Sequence, residues 1–236
     1  MSNILEIMGL SKAYGQKLIL KDINLSLEKG KVLGLLGPNG CGKTTLLNLI
    51  ESFLKPTQGK ILIDEIEAGV DTKNLVAMLQ DKNIFSRWMR VKDGVEFYKD
   101  FFEDFDEIKA KNLLKTLGIE EKDKINNLSK GTYEKFALAL TLSRKAKLFI
   151  LDEPLSGVDP LAREEILDII IDNLDGEVSM IITTHQIYEL ERILDEVAFL
   201  KDGNIFLKEE VETLRAKNRA SLDDIYKGIY KGEKVC

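Results

Sequence analysis

The apolar positions of the chain fall into short runs separated by glycine, proline and charged turns. The runs Ile4–Met8, Ile19–Leu27 and Val32–Leu36 predict strands, with Gly15 and the Lys29-Gly30 pair as turns between them. A helix is expected from Lys43 to about Phe53, followed by punctuation at Pro56 and Gly59 and a strand at Lys60–Ile63. From about Ile84 to Leu128 the pattern changes to helical spacing, rich in charges and aromatics, with no run that reads as a strand. Beyond it, Thr132–Arg144 predicts a helix, Leu148–Leu151 a buried strand, Leu161–Leu174 a helix and Val178–Thr183 another strand. Alternation of this kind implies an α/β fold with a doubly wound, mainly parallel sheet. The expected organisation is a single domain over 1–236, an inserted helical subdomain at about 84–144, and a short extension at 208–236.

The chain has 236 residues, enough for one large domain with a sizeable core. Its two cysteines cannot build a disulfide framework and suit a reducing cytosol. No apolar run reaches the roughly 18 residues of a membrane span, and the start lacks the charged region of a signal peptide. A formal net charge of -6 argues against broad electrostatic binding of nucleic acid, so none is expected as a partner.

Chemistry enters at Gly37-Pro38-Asn39-Gly40-Cys41-Gly42-Lys43-Thr44-Thr45, a complete phosphate loop behind an apolar strand. Glycines let consecutive backbone N–H groups curl around phosphate oxygens, and the helix that follows turns its positive end toward them. Lys43 then reaches the β and γ phosphates, and the Thr44 hydroxyl is placed to ligate Mg²⁺. Cys41 stands at a variable position of the loop, read either as a small residue at a tight turn or as a redox-sensitive thiol. The buried run Leu148–Leu151 ends in Asp152-Glu153. Carboxylates there emerge at the strand's carboxyl end, where ligands of such sheets bind. Asp152 would hold Mg²⁺ through water, and Glu153 would orient and deprotonate an attacking water.

With these motifs the chain resembles the ATP-binding subunit of ABC transporters, from about Ile4 to Leu207. Leu128-Ser129-Lys130-Gly131-Thr132 resembles the family's signature, Gln80 its Q-loop glutamine, Ser156-Gly157-Val158-Asp159 its D-loop, and Thr183-Thr184-His185 its switch histidine. Tyr14 resembles the aromatic that stacks on adenine, the alternative being a hairpin cap. The resemblance implies ATP and Mg²⁺ as cofactors. It also implies a Gln80 carbonyl that completes the metal's coordination, and a His185 imidazole that donates to the γ-phosphate.

Lys130 and Thr132 depart from the family signature, while Ser129 and Gly131 retain the groups that contact a γ-phosphate held by a second subunit. Lys130 is either a further cation near that phosphate or a solvated side chain. A lysine here resembles drug and antimicrobial-peptide export subunits more than importers. The resemblance therefore implies an ATPase that dimerises, with an identical copy or a close paralogue, around two ATP molecules. Such a dimer drives a separate transmembrane permease and lies in the cytoplasm against the inner face of the membrane. A non-transport ATPase of the same fold, remodelling a soluble complex, is the alternative. A GTPase is disfavoured because no N-K-x-D signature occurs.

Two regions remain. Phe97, Phe101 and Phe105 recur every four residues, beside Tyr98 and Phe102, and predict one helical face that is either core or a groove for a helix of the membrane partner. Acidic residues among them, Asp100, Glu103, Asp104 and Asp106, read as a solvated face, the alternative being recognition of a basic loop of the partner. The tail predicts a helix from Glu209 to Asn218 and a segment with Tyr226 and Tyr230, either docked on the chain's own core or lengthening a dimer contact.

Overall fold

A computed structural model describes residues 2–79, 84–174 and 176–231. Its framework is a six-stranded sheet in the order β10-β9-β3-β8-β7-β6. These are β3 (Val32–Leu36), β6 (Val76–Leu79), β7 (Leu148–Asp152), β8 (Ser179–Thr183), β9 (Glu196–Lys201) and β10 (Asn204–Glu210). All pair in parallel except β10, which returns antiparallel along β9. A second, antiparallel sheet has four strands in the order β2-β1-β4-β5. It is formed by β1 (Asn3–Tyr14), β2 (Lys17–Glu28), β4 (Gln58–Ile63) and β5 (Ile66–Glu67).

The period of two decides which core each strand residue joins. Leu33 and Leu35 point, with Ile150 and Ile181, into a core that buries α1 (Lys43–Ile50) between the two sheets. Val32 and Leu36, with Phe149 and Ile182, point the other way. There they meet α4 (Lys130–Leu142), α5 (Pro160–Asp172), α6 (Ile187–Leu190), α7 (Val211–Asn218) and α8 (Leu222–Lys231). Burial on both faces explains why these strands read as continuous apolar runs.

Several boundaries differ from the expectation. α1 stops at Ile50 rather than Phe53 because Ser52 takes a left-handed φ of 62° and the amides of Phe53 and Leu54 turn back to the Asn48 carbonyl. β6, β9 and β10 are strands that the sequence pattern left unassigned.

The region between β6 and α4 carries α2 (Val91–Phe101) and α3 (Glu107–Thr116). Val91, Val95, Tyr98, Leu114, Phe136 and Leu140 belong to its own small core. Phe105 lies beyond the end of α2, so the four-residue spacing does not continue on one helical face. Asp106 explains the break: its carboxylate accepts from the Lys109 amide and caps α3. Asp104 is not on a solvated face, since it pairs with the buried Arg144 at 3.0 Å. Arg144 also donates to the carbonyls of Val76 and Lys73, at 2.9 and 2.8 Å, and lies over the Phe102 ring. The tail docks on its own core: Val211, Leu214, Leu222, Ile225 and Ile229 are buried there.

Candidate nucleotide site

β3 delivers the chain into the loop Gly37–Thr45, and α1 begins as the loop ends. Gly42 stands at the helix start with a φ of 114°, where a Cβ would also lie 2.8 Å from the Leu20 side chain. Glycine is required there on both counts. Lys43 is 7% exposed, and its ammonium donates to the Gly37 carbonyl at 2.7 Å and to that of Pro38 at 3.4 Å. The loop is thus closed over its own cation, at the end of a helix whose first amides point outward. Cys41 is half-buried, and burial pushes its thiol above the ordinary range.

Neighbouring parallel strands bring the remaining groups to the same edge. Asp152 at the end of β7 accepts from Thr44 at 3.1 Å through Oδ2 and from Thr183 at 2.6 Å through Oδ1. The Thr183 hydroxyl in turn accepts from the Glu153 amide at 2.9 Å. One hydroxyl on β8 therefore fixes both acidic residues. Glu153 has a φ of 54°, a left-handed conformation uncommon for a non-glycine residue. Its carboxylate meets His185 Nδ1 at 2.7 Å and accepts from the His185 amide at 3.3 Å. Against an ionised Glu153, that ring nitrogen carries the proton.

Tyr14, Ile19, Asn39, Gly40, Gly42, Lys43, Thr44, Thr45, Asp152 and Glu153 line one cleft of about 370 Å³. Tyr14 is half-exposed at its rim, with the Lys12 ammonium 5.1 Å from the ring. Ile19 was not among the sequence candidates, and its place at the cleft follows from the β1–β2 hairpin, which no local motif encodes. Among the described residues no group of three or more His, Cys, Asp or Glu side chains can hold a metal. The hydroxyl of Thr44 and the carboxylate of Asp152 are hard oxygen donors, and together they fit Mg²⁺ shared with phosphate oxygens and water. Gln80 lies outside the described residues.

Ser129, Gly131 and Asp159 do not line this cleft. They form a second constellation with each other. Ser129 caps α4, accepting from the Thr132 amide at 3.1 Å. Asp159 caps α5, accepting from Ala162. A Cβ on Gly131 would lie 3.1 Å from that of Ala162 and 3.5 Å from Asp159 Oδ2, so the starts of both helices touch through a glycine. The Lys130 side chain folds over the α-carbon of Gly157 in the adjoining loop.

A phosphate loop, an acidic strand end and a histidine at one sheet edge define a nucleoside triphosphatase, and the family model for ABC transporters matches residues 20–156. The chain belongs to the ABC transporter family. It is an ATP-binding subunit of that family of ATPases. The ABC transporter ATP-binding protein YtrB of Bacillus subtilis is 33% identical over 205 residues, covering 86% of this chain and 70% of that protein. Lantibiotic transport ATP-binding protein SrtF of Streptococcus pyogenes is 28% identical, covering 89% and 92%. A solved structure of an ATP-binding subunit of an ABC transporter shares the fold, with a TM-score of 0.86 over 96% of this chain and 99% of that one, at 23% identity.

The cassette carries a further depression between α1, β6 and the α2–α4 region, a cavity of about 340 Å³. Phe53, Ile84, Phe97, Tyr98 and Phe102 line it, with Glu51, Lys73 and Arg144 as its charged groups. Phe53 and Ile84 are more than half exposed. Glu51 is buried, its Oε2 has no hydrogen-bond partner among the described residues, and burial pushes its carboxyl up to about 6 against the opposing pull of Lys73.

Proposed function

We propose that the chain hydrolyses MgATP as half of a dimer and that the dimer drives a separate transmembrane permease in export. The observation that carries this reading is the division of the site. The cleft gathers the groups for phosphate binding and water activation, while Ser129, Gly131 and Asp159 form a separate unit outside it. A second subunit, identical or closely related, supplies that unit to the cleft of the first. Lys43 would exchange the Gly37 carbonyl for β and γ phosphate oxygens. Thr44 and Asp152, with Gln80, would hold Mg²⁺, which offsets the charge that develops on the transferred phosphoryl group. Glu153 takes the proton of the attacking water. Its 2.7 Å contact with His185 means that a neutral ring, already donating through Nδ1, has only an acceptor left to offer the γ-phosphate. Donation to the phosphate thus requires the ring either to leave Glu153 or to carry a second proton. Tyr14 would stack on adenine.

The aromatic depression supports a permease partner, because exposed apolar side chains around a cavity suit the end of a helix laid into it. Export is supported by Lys130 in the signature and by the lantibiotic transport role in the name of SrtF. Affinity purification of the Glu153→Gln protein from detergent-solubilised membranes of its own host, with MgATP present, tests the assignment. A polytopic membrane protein is the expected companion. Recovery of soluble partners alone, with membrane extraction verified, would overturn the transporter reading in favour of a remodelling ATPase. Direction is tested separately: cells lacking the chain should be more sensitive to a lantibiotic, and unchanged sensitivity counts against export of that class.

A further inference from the structure

The last helix, α8, plays no part in the function described so far. Leu222, Ile225 and Ile229 seat it in the core under the sheet, and Lys201 of β9 donates to the Ile229 carbonyl at 3.1 Å near its end. Tyr226 and Tyr230 lie one turn apart with ring centroids separated by 4.7 Å. The Tyr230 hydroxyl shares its one proton between the Leu200 carbonyl at 2.9 Å and the Leu36 carbonyl at 3.3 Å. Burial raises the affinity of this phenol for its proton, so it remains a donor.

The position of those two carbonyls is what matters. Leu36 is the last residue of β3, in register with Phe199 of β9, and the chain leaves the sheet at Gly37 to form the phosphate loop. Tyr230 therefore bridges two strands where their ladder ends. A Cβ on Gly37 would lie 2.7 Å from the Leu200 carbonyl oxygen, 2.6 Å from Cys41 Sγ and 3.5 Å from the Tyr230 hydroxyl. The hydroxyl thus abuts the residue whose carbonyl receives Lys43 at 2.7 Å. A continuous path of contacts runs from Tyr230 through Leu36 and Gly37 to the lysine that grips phosphate.

We propose that Tyr230 is a positioning residue for nucleotide binding: α8 is a brace that sets the root of the phosphate loop, and ATP affinity depends on it. The proposal rests on the reading of Gly37–Thr45 as the ATP site. Cys41 Sγ and the Tyr230 hydroxyl crowd the same glycine, Gly37, which makes that thiol a reporter of the brace.

The test uses the full chain in a Cys236→Ser background, leaving Cys41 as the one thiol. Tyr230→Phe keeps the ring and removes the hydroxyl. ATP should then bind roughly three- to tenfold more weakly, the effect of one lost hydrogen bond, and a thiol reagent should modify Cys41 several-fold faster. Lys227→Gln, exposed on the same helix where Lys227 pairs with Asp223, should leave both readouts unchanged. Ile166→Val in α5 should lower the thermal midpoint without moving either, which separates positioning from general stability. If Tyr230→Phe is poorly folded, Lys201→Met loosens the same helix end and should show both effects in smaller measure. Wild-type affinity and thiol reactivity in Tyr230→Phe, or an equal change in Ile166→Val, would overturn the proposal. Lys43→Ala serves as the separate check on the ATP site: if it binds ATP normally, the site assignment fails rather than the brace.

Discussion

In the nucleotide cleft the polar atoms answer one another, whereas in the aromatic depression a buried carboxylate oxygen has no partner among the described residues. Thr44, Asp152, Thr183 and the Glu153 amide form a chain of bonds between 2.6 and 3.1 Å across two strand ends and a helix start. Glu51 keeps Oε2 without a hydrogen bond, beside exposed Phe53 and Ile84. Strand ends in a parallel sheet are fixed by ladders on both sides, so the backbone that carries Asp152, Glu153 and Thr183 is set before any ligand arrives. The depression is assembled from side chains of separate helices, and its unmet polar and apolar surface is that of a region built to be covered. Preorganised chemistry and unfinished surface thus meet the two ends of α1, at Lys43–Thr45 and at Glu51 and Phe53.

The largest expected effect lies in the cleft. Glu153→Gln should slow ATP hydrolysis by about 10²- to 10⁴-fold while ATP still binds, as read by phosphate release and nucleotide titration. Near wild-type turnover would show that the cleft is organised around a different base. Next comes the charged anchor of the depression. Arg144→Met leaves Asp104 buried and unpaired and frees the Val76 and Lys73 carbonyls, which should cost about 3–5 kcal/mol in denaturant unfolding. A loss below about 1 kcal/mol would mean that this ion pair is not the joint it resembles. Lys43→Ala removes two charge-assisted bonds to the loop and should weaken ATP binding by at least about 100-fold.

The smallest effect belongs to the unfinished side and depends on pH. The Glu51 carboxyl has its folded-state value raised from 4.5 to about 6 by burial. The folded chain therefore holds a proton that the unfolded chain has lost between those values. This contribution to stability is fully present below about pH 4.5 and is lost as pH rises through about 6. Glu51→Gln should gain about 1 kcal/mol relative to the parent between pH 5 and pH 8, measured by paired unfolding curves. An identical difference at both values would place Glu51 outside the burial that its surroundings indicate.

The two sides also differed in how far the sequence revealed them. The phosphate loop and the acidic strand end are contiguous, because backbone curvature and strand termination are local properties, so both could be read from spacing alone. Thr183 was visible as part of Thr183-Thr184-His185, but not its bond to Asp152, which needs the β7–β8 register. Phe105 was misplaced because a spacing of four residues persists whether or not the helix does, and the cap at Asp106 settles the matter. Asp104 looked solvated because its partner is 40 residues away. The hydroxyl of Tyr230 reaches a carbonyl 194 residues earlier, a contact that no pattern of neighbours can encode.

Arg144 also has a mechanical consequence. It ties the end of α4 to the edge strand β6, while Ser129 caps the opposite end of the same 13-residue helix. At about 1.5 Å per residue that is an arm of about 20 Å, so a swing of roughly 10° about the arginine carries the serine about 3 Å. A hydrogen bond is made or broken over less than that. The helix is thus long enough for a small tilt beside the groove to become the difference between contact and separation at its far tip.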